Sequence, residues 1–318
     1  QDGSEHGNIT INISGGTIGR SDQLSYDSET IQVGDVYGGS KGTLQKNSVF
    51  NQRLGLAKNT TINISDTSGS TTIYGNVYGG GEIASVGSYV YATASDTTSY
   101  NPTHPTEPLK VEDVYRERYT NTGVATITIS GGTIGQASSY TAGHVFGGCL
   151  GRAGTIYSGY SYVINSHVTL SGGTVYGSVF GGGENGHVLK NTDVRVSGGA
   201  VGIQLDTLTD TINERAIYRG NVYGGGRGID QYRVGETNHY SITAGKVSGN
   251  TNVSITGGQI YRNVYGGGSL ASVGDPDEVA DGSGNYSTGL ATVVIKGGQI
   301  GTDGGYAAMH NSGGTFNH

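Results

Sequence analysis

The chain has 318 residues, of which 60 are glycine and only four are proline, and it carries a formal charge of −7. That balance excludes a collagen-like fibre, which needs glycine at every third position and abundant proline. It also argues against nucleic acid or an anionic membrane as partner, since both call for basic clusters.

Short alternating runs of β-branched residues begin almost at once. "INISGGTIG" (11–19) is followed by "DVYGGS" (35–40), and this pairing of elements then recurs along the chain. A degraded "INISDTSGS" (62–70) precedes "NVYGGG" (76–81), and "ITISGGTIG" (127–135) precedes "HVFGGC" (144–149). "VTLSGGTVYG" (168–177) runs directly into "SVFGGG" (178–183), while "VRVSGGAVG" (194–202) and "VSITGGQIYR" (253–262) precede the second and third "NVYGGG" (221–226 and 263–268). "VVIKGGQIG" (293–301) closes the series. The compact copies 167–186 and 252–271 match without gaps, so roughly 20 residues make one unit.

Each unit reads as three very short strands. In "HVTL" the period of two places Val168 and Leu170 on one face and His167 and Thr169 on the other. A Gly-Gly corner, a second short strand, another glycine and then the Val-Tyr/Phe strand follow. Strands this short bury no core alone, whereas stacked turns of a coil bury a continuous one. The predicted fold is therefore all-β: a parallel β-helix, or β-solenoid, of about seven irregular coils forming one domain over 1–318. The glycines of "NVYGGG" recur at one phase of every coil, so they are expected to turn the chain rather than cradle a ligand.

Stacking predicts ladders of like residues. One polar ladder runs through Asp35, Asn76, His144, Ser178, Asn221 and Asn263, and another through Ser14, Ser130, Ser171, Ser197, Thr256 and Lys296. An aromatic column joins Tyr37, Tyr78, Phe146, Phe180, Tyr223 and Tyr265, and its tyrosines hint at a partly wet position. Insertions interrupt the coil at 88–123, 203–219, 228–250 and 275–290. They are candidate sites of function, because loops on a rigid scaffold often carry it.

Chemistry-bearing residues are sparse. "GGGENG" (181–186) matches G-x-G-x-x-G, but "HVLKNTDVRV" follows as strand rather than the helix a dinucleotide needs. Asp275, Asp277, Glu278 and Asp281 gather in one insertion and could suit Ca²⁺, although their spacing is not that of an EF-hand; no other cofactor is indicated. Cys149, the only cysteine, replaces a glycine and reads as a small tolerated residue rather than a nucleophile. Adjacent coils would bring His167 beside Asp193 and Thr169 beside Arg195, giving a His–Asp–Arg patch able to bind a sugar acid or to move a proton.

The units resemble the glycine-rich "SGGTI…NVYGGG" repeats of large secreted or cell-surface β-solenoid proteins, adhesin-like proteins of gut bacteria. The resemblance covers most of the chain outside the insertions and rests on scaffold positions alone. It implies a β-solenoid in an extracellular setting and transfers no catalytic residue. The expected function is that of a non-enzymatic structural or adhesive rod, contacting carbohydrate or another surface protein, or assembling end to end. The alternative is a polysaccharide lyase or glycoside hydrolase on a parallel β-helix, with Glu112, Asp113, Arg116 and Arg118 folded back over the sheet.

Overall fold

The structure, a computed structural model, describes residues 7–22, 24–26, 29–31, 33–42, 55–66, 69–87, 122–139, 142–152, 161–204, 219–229, 231–234, 236–239, 241, 243–275, 280 and 282–301. Seven parallel strands stack in chain order to form a long sheet: Ile9–Ile13, Thr60–Ile64, Val124–Ile134, Asn165–Val175, Thr192–Val201, Thr251–Ile260 and Ala291–Ile300. They number coils 1 to 7. A short sheet of six two-residue parallel strands runs alongside, from Val36–Tyr37 through Val77–Tyr78, Val145–Phe146, Val179–Phe180 and Val222–Tyr223 to Val264–Tyr265. A third wall is built from Tyr162–Val163 beside His187–Val188, extended by single bridges from Val188 to Val247 and from Val247 to Val273. Strands that succeed one another in sequence lie parallel and adjacent, so each must be reached by a full turn of the chain. The fold is an all-β parallel β-helix, with no helix among the described residues.

The core follows from the period of two. Ile62, Ile127, Val168, Val194 and Val253 pair in one column and Ile64, Ile129, Leu170, Val196 and Ile255 in the next, all at most 1% exposed. The valines of the short sheet meet them from the opposite wall. Each such side chain contributes about 1.5–3 kcal/mol relative to leaving it in water.

Two expectations about glycine are corrected. The Ser-Gly-Gly element is not a corner separating two strands in coils 3 to 7, where one strand of 10 or 11 residues runs through it as a bulge. Gly172 pairs with Ser130 at a register shift, and a Cβ on Gly172 would strike the Ser130 carbonyl, while Gly173 sits at φ +80°. The glycines of "NVYGGG" are also not there for left-handed turning, since none of those after the short strands has positive φ. A Cβ on Gly181 would collide with the carbonyl oxygen of Gly224 in the next coil, and the same clash holds down the column from Gly38 to Gly224. They are glycine because the coils stack too closely for a side chain.

The aromatic column lies behind the valines in a second apolar cluster and is not wet along its length. Tyr78, Phe146, Phe180 and Tyr223 are buried, whereas Tyr265 at one end is 42% exposed. Successive rings stack at centroid distances of 4.6–5.0 Å and within 10° of parallel. Such pairs are worth about 0.5–1.5 kcal/mol each beyond burial.

The insertions are partly redrawn. An antiparallel hairpin, Leu24–Tyr26 with Glu29–Ile31, leaves coil 1 where no insertion is expected, and a second, Tyr232–Val234 with Thr237–His239, occupies part of 228–250. The last residues of 228–250 belong to the coil: Val247 is fully buried in the third wall, with Lys246 and Ser248 buried on either side. Most of 88–123 and of 203–219 lies outside the described residues, including Glu112, Asp113, Arg116 and Arg118.

Candidate functional site

The outward positions of the long sheet form columns of polar side chains. Thr10, Thr61, Thr126, His167, Asp193, Asn252 and Thr292 stand in register, one per coil. Beside them run Asn12, Asn63, Thr128, Thr169, Arg195 and Ser254. Strand alternation turns them away from the core, and parallel in-register pairing sets each above its counterpart.

The predicted patch is assembled here. Arg195 Nε donates to Asp193 Oδ2 at 2.8 Å, and Asn252 Nδ2 donates to Asp193 Oδ1 at 2.7 Å. His167 Nδ1 lies 3.8 Å from Oδ2. The Asp193 side chain is only 17% exposed, against 47% for His167 and 65% for Arg195. Both carboxylate oxygens are thus already engaged, and the charge is balanced by its neighbour. The arrangement binds the coils together and presents an imidazole and a guanidinium to solvent.

The short-sheet ladder works through the backbone. Asp35 Oδ1 accepts from the Asn76 N–H at 2.7 Å, Asn76 Oδ1 from the His144 N–H at 2.9 Å, and His144 Nδ1 from the Ser178 N–H at 3.0 Å. Ser178 Oγ accepts from the Asn221 N–H at 3.0 Å and Asn221 Oδ1 from the Asn263 N–H at 3.1 Å. The same residues meet the tyrosine hydroxyl two positions on: Tyr37 donates to Asp35 at 3.1 Å, while Asn76 and Asn263 donate to Tyr78 and Tyr265 at 3.2 and 3.1 Å. His144 and Ser178 instead precede Phe146 and Phe180, rings with no hydroxyl to satisfy. Tyr78 Oη in turn donates to Glu184 Oε2 at 2.5 Å. The serine ladder is looser, with Ser130 and Ser171 hydroxyls 3.4 and 3.3 Å from carbonyls of the preceding coil.

Burial dominates the titration of these groups. It raises Asp35 above the usual carboxylate range against the opposing pull of the Asn76 N–H and Tyr37 hydroxyl, and Glu184 and Glu82 raise it further. Burial, followed by the nearby carboxylates, raises Tyr78 well above its ordinary value. It lowers His144 to about 3, with Arg227 and Arg219 adding to the effect, and His187 to about 4, with Lys246 adding. Cys149 is fully buried and pushed up to about 12, the state of a packing residue rather than a nucleophile.

Two further ladders lie outside the glycine motifs. Asn59, Asn191 and Asn250 hold the corners before the long strands, with Asn59 Oδ1 accepting from the Val124 N–H at 3.0 Å, Asn191 Oδ1 from the Asn250 N–H at 2.9 Å, and Asn250 Oδ1 from the Leu290 N–H at 2.9 Å. The buried hydroxyls of Thr60, Ser166, Thr192 and Thr251 cross the core to the carbonyl of the first glycine after each short strand. Both were legible as an asparagine followed by Thr or Ser at the head of each of these copies.

Of the acidic insertion, Asp275 is described and its N–H donates to Thr288 Oγ1 at 3.0 Å, while Asp277, Glu278 and Asp281 lie outside the described residues. Among the described residues no group of three or more His, Cys, Asp or Glu side chains is placed to hold a metal, and no helix is long and apolar enough to cross a membrane. No protein-family model, curated protein or solved structure matches the chain.

Proposed function

We propose that the chain is a non-enzymatic extracellular structural or adhesive protein, a rigid rod that displays polar columns to carbohydrate or to another surface protein. The observation that carries this reading is the Asp193 carboxylate, engaged on both oxygens by Arg195 and Asn252. Beyond His167 and Arg195 the outward columns are mostly Thr, Asn and Ser, which suit shallow contact better than acid–base chemistry, where a carboxylate must reach the reacting atom. The resemblance to adhesin-like solenoid repeats supports the extracellular setting.

The test is a glycan-array screen of wild type and an Asp193→Ala, His167→Ala double variant, run beside a reducing-end assay on polysaccharides. Glycan binding that weakens in the variant, without cleavage by either protein, supports the reading. Cleavage by wild type that the variant loses would overturn it in favour of a lyase or hydrolase.

A further inference from the structure

His167, Asp193 and Arg195 are the only ionisable side chains in the first six long strands, although the whole chain carries 25 acidic against 18 basic residues. They stand in coils 4 and 5, with coils 3 and 6 on either side, so their exposure owes nothing to the ends of the sheet. Asp193 occupies only one side of the guanidinium. Arg195 donates to it through Nε at 2.8 Å, while Nη1 and Nη2 bond to nothing among the described residues, on a side chain that is 65% exposed. His167 Nδ1, 3.8 Å from the carboxylate, is beyond hydrogen-bonding distance, and neither ring nitrogen bonds elsewhere among the described residues. The carboxylate therefore orients Arg195 and leaves the far end of its fork in water. That end matches the paired oxygens of a carboxylate or a sulfate. Thr169 and Ser254 flank Arg195 in register on coils 4 and 6, about 4.8 Å to either side. The seven long strands contain no Phe, Tyr or Trp, so they offer no ring on which a neutral sugar could stack.

We infer that this face binds an acidic polysaccharide laid across coils 4 to 6. A carboxylate or sulfate of the polymer sits on the terminal nitrogens of Arg195, and its sugar hydroxyls meet Thr169 and Ser254. Asp193 is a positioning residue in this arrangement. It is also the sole acid of the seven long strands, and its charge is compensated. In a chain that is acidic overall, a polyanion meets least repulsion on such a face.

This inference rests on the glycan-display reading, and its test separates the two. Wild type, Arg195→Gln and Thr128→Arg are titrated against immobilised hyaluronate, charged only by carboxylates, dextran sulfate, charged only by sulfates, and uncharged dextran. Wild type is expected to bind a polyanion and not dextran, more weakly as salt is added. The polyanion that binds identifies the group as carboxylate or sulfate. Arg195→Gln should weaken binding about tenfold, the loss of one charge-assisted pair. Thr128→Arg adds a guanidinium to the same column two coils away and should tighten binding severalfold. It decides the matter if circular dichroism shows that Arg195→Gln has not folded. Dextran bound as tightly as the polyanions, or polyanion binding that neither variant changes, would overturn the inference and leave glycan display standing. Failure to bind any of the three polymers would overturn it as well.

Discussion

The carbonyl oxygen of Ile83 occupies the place that a Cβ on Gly42 would need. The relationship repeats two coils on between Asn185 and Gly151, and again between Leu270 and Gly228. Ile83, Asn185 and Leu270 all have left-handed backbones, with φ of 52°, 54° and 52°. Glycine and a left-handed residue thus alternate along this wall. The left-handed peptide turns its carbonyl toward the preceding coil, which must then lack a side chain. For Ile83 that conformation is costly in a β-branched residue, so the stacked coils hold it in place.

Gly228→Ala is accordingly expected to destabilise the fold by about 1–3 kcal/mol, the usual cost of overpacking. Gly267→Ala, facing open space, should stay within about 0.5 kcal/mol of wild type. Urea unfolding of both variants at low protein concentration checks the contrast. Equal effects would mean that coil spacing does not dictate these glycines.

Asp35→Asn should stabilise the protein at neutral pH by about 0.5–2 kcal/mol. Asparagine keeps the acceptor for the Asn76 N–H and can donate to the Tyr37 hydroxyl, as Asn76 does to Tyr78. It also removes a half-buried charge near Glu184 and Glu82. Because the folded pKa of Asp35 is raised, its contribution is most favourable below the unfolded value and is lost as pH rises through the folded one. The advantage of Asp35→Asn should therefore grow with pH across the acidic range and then level off, as thermal melts from acid to neutral pH would reveal.

His144 and His187 predict an acid weakness. Their folded pKa values are lowered to about 3 and about 4 from 6.5, so the unfolded chain takes up their protons first. The stability they permit is intact above 6.5 and is lost as pH falls toward those values, by about 1.4 kcal/mol per pH unit for each proton. His144→Asn should be less stable than wild type at neutral pH, having lost packing against Phe146 and Phe180. Its deficit should narrow as pH drops below 6.5. A constant gap in denaturant titrations would show that the imidazole is not protonated on unfolding.

Phe180→Tyr should cost about 1–3 kcal/mol, because the buried hydroxyl meets Ser178 where other coils supply Asp or Asn. Adding Ser178→Asn should recover part of that loss. A double-mutant cycle on urea midpoints reads the coupling, and additive effects would refute the pairing of ladder residue with ring hydroxyl.

How legible the molecule is in its sequence depends on how local each property is. The columns of Ile62, Val168 and Val253, the ring stack from Tyr37 to Tyr265, and the meeting of His167 with Asp193 all follow from one phase of a repeat and a period of two. The asparagine and hydroxyl ladders are equally present at the head of the copies, as an asparagine followed by Thr or Ser, but outside the glycine elements that define the repeat. The end of the 228–250 insertion was not legible, since Val247 differs from a loop residue only in the wall it joins.

By itself, then, the sequence determined that the chain coils, which residues share a column, and which side of each long strand faces inward. These are consequences of strand alternation, which needs no distant partner. Only the tertiary structure decided that the "NVYGGG" glycines serve coil spacing rather than turning, that Tyr78 is buried with its hydroxyl bonded to Asn76 and Glu184, and that Asp193 is already bonded on both oxygens. Each of those depends on how closely one coil approaches the next, a distance set by backbone hydrogen bonds between residues tens of positions apart.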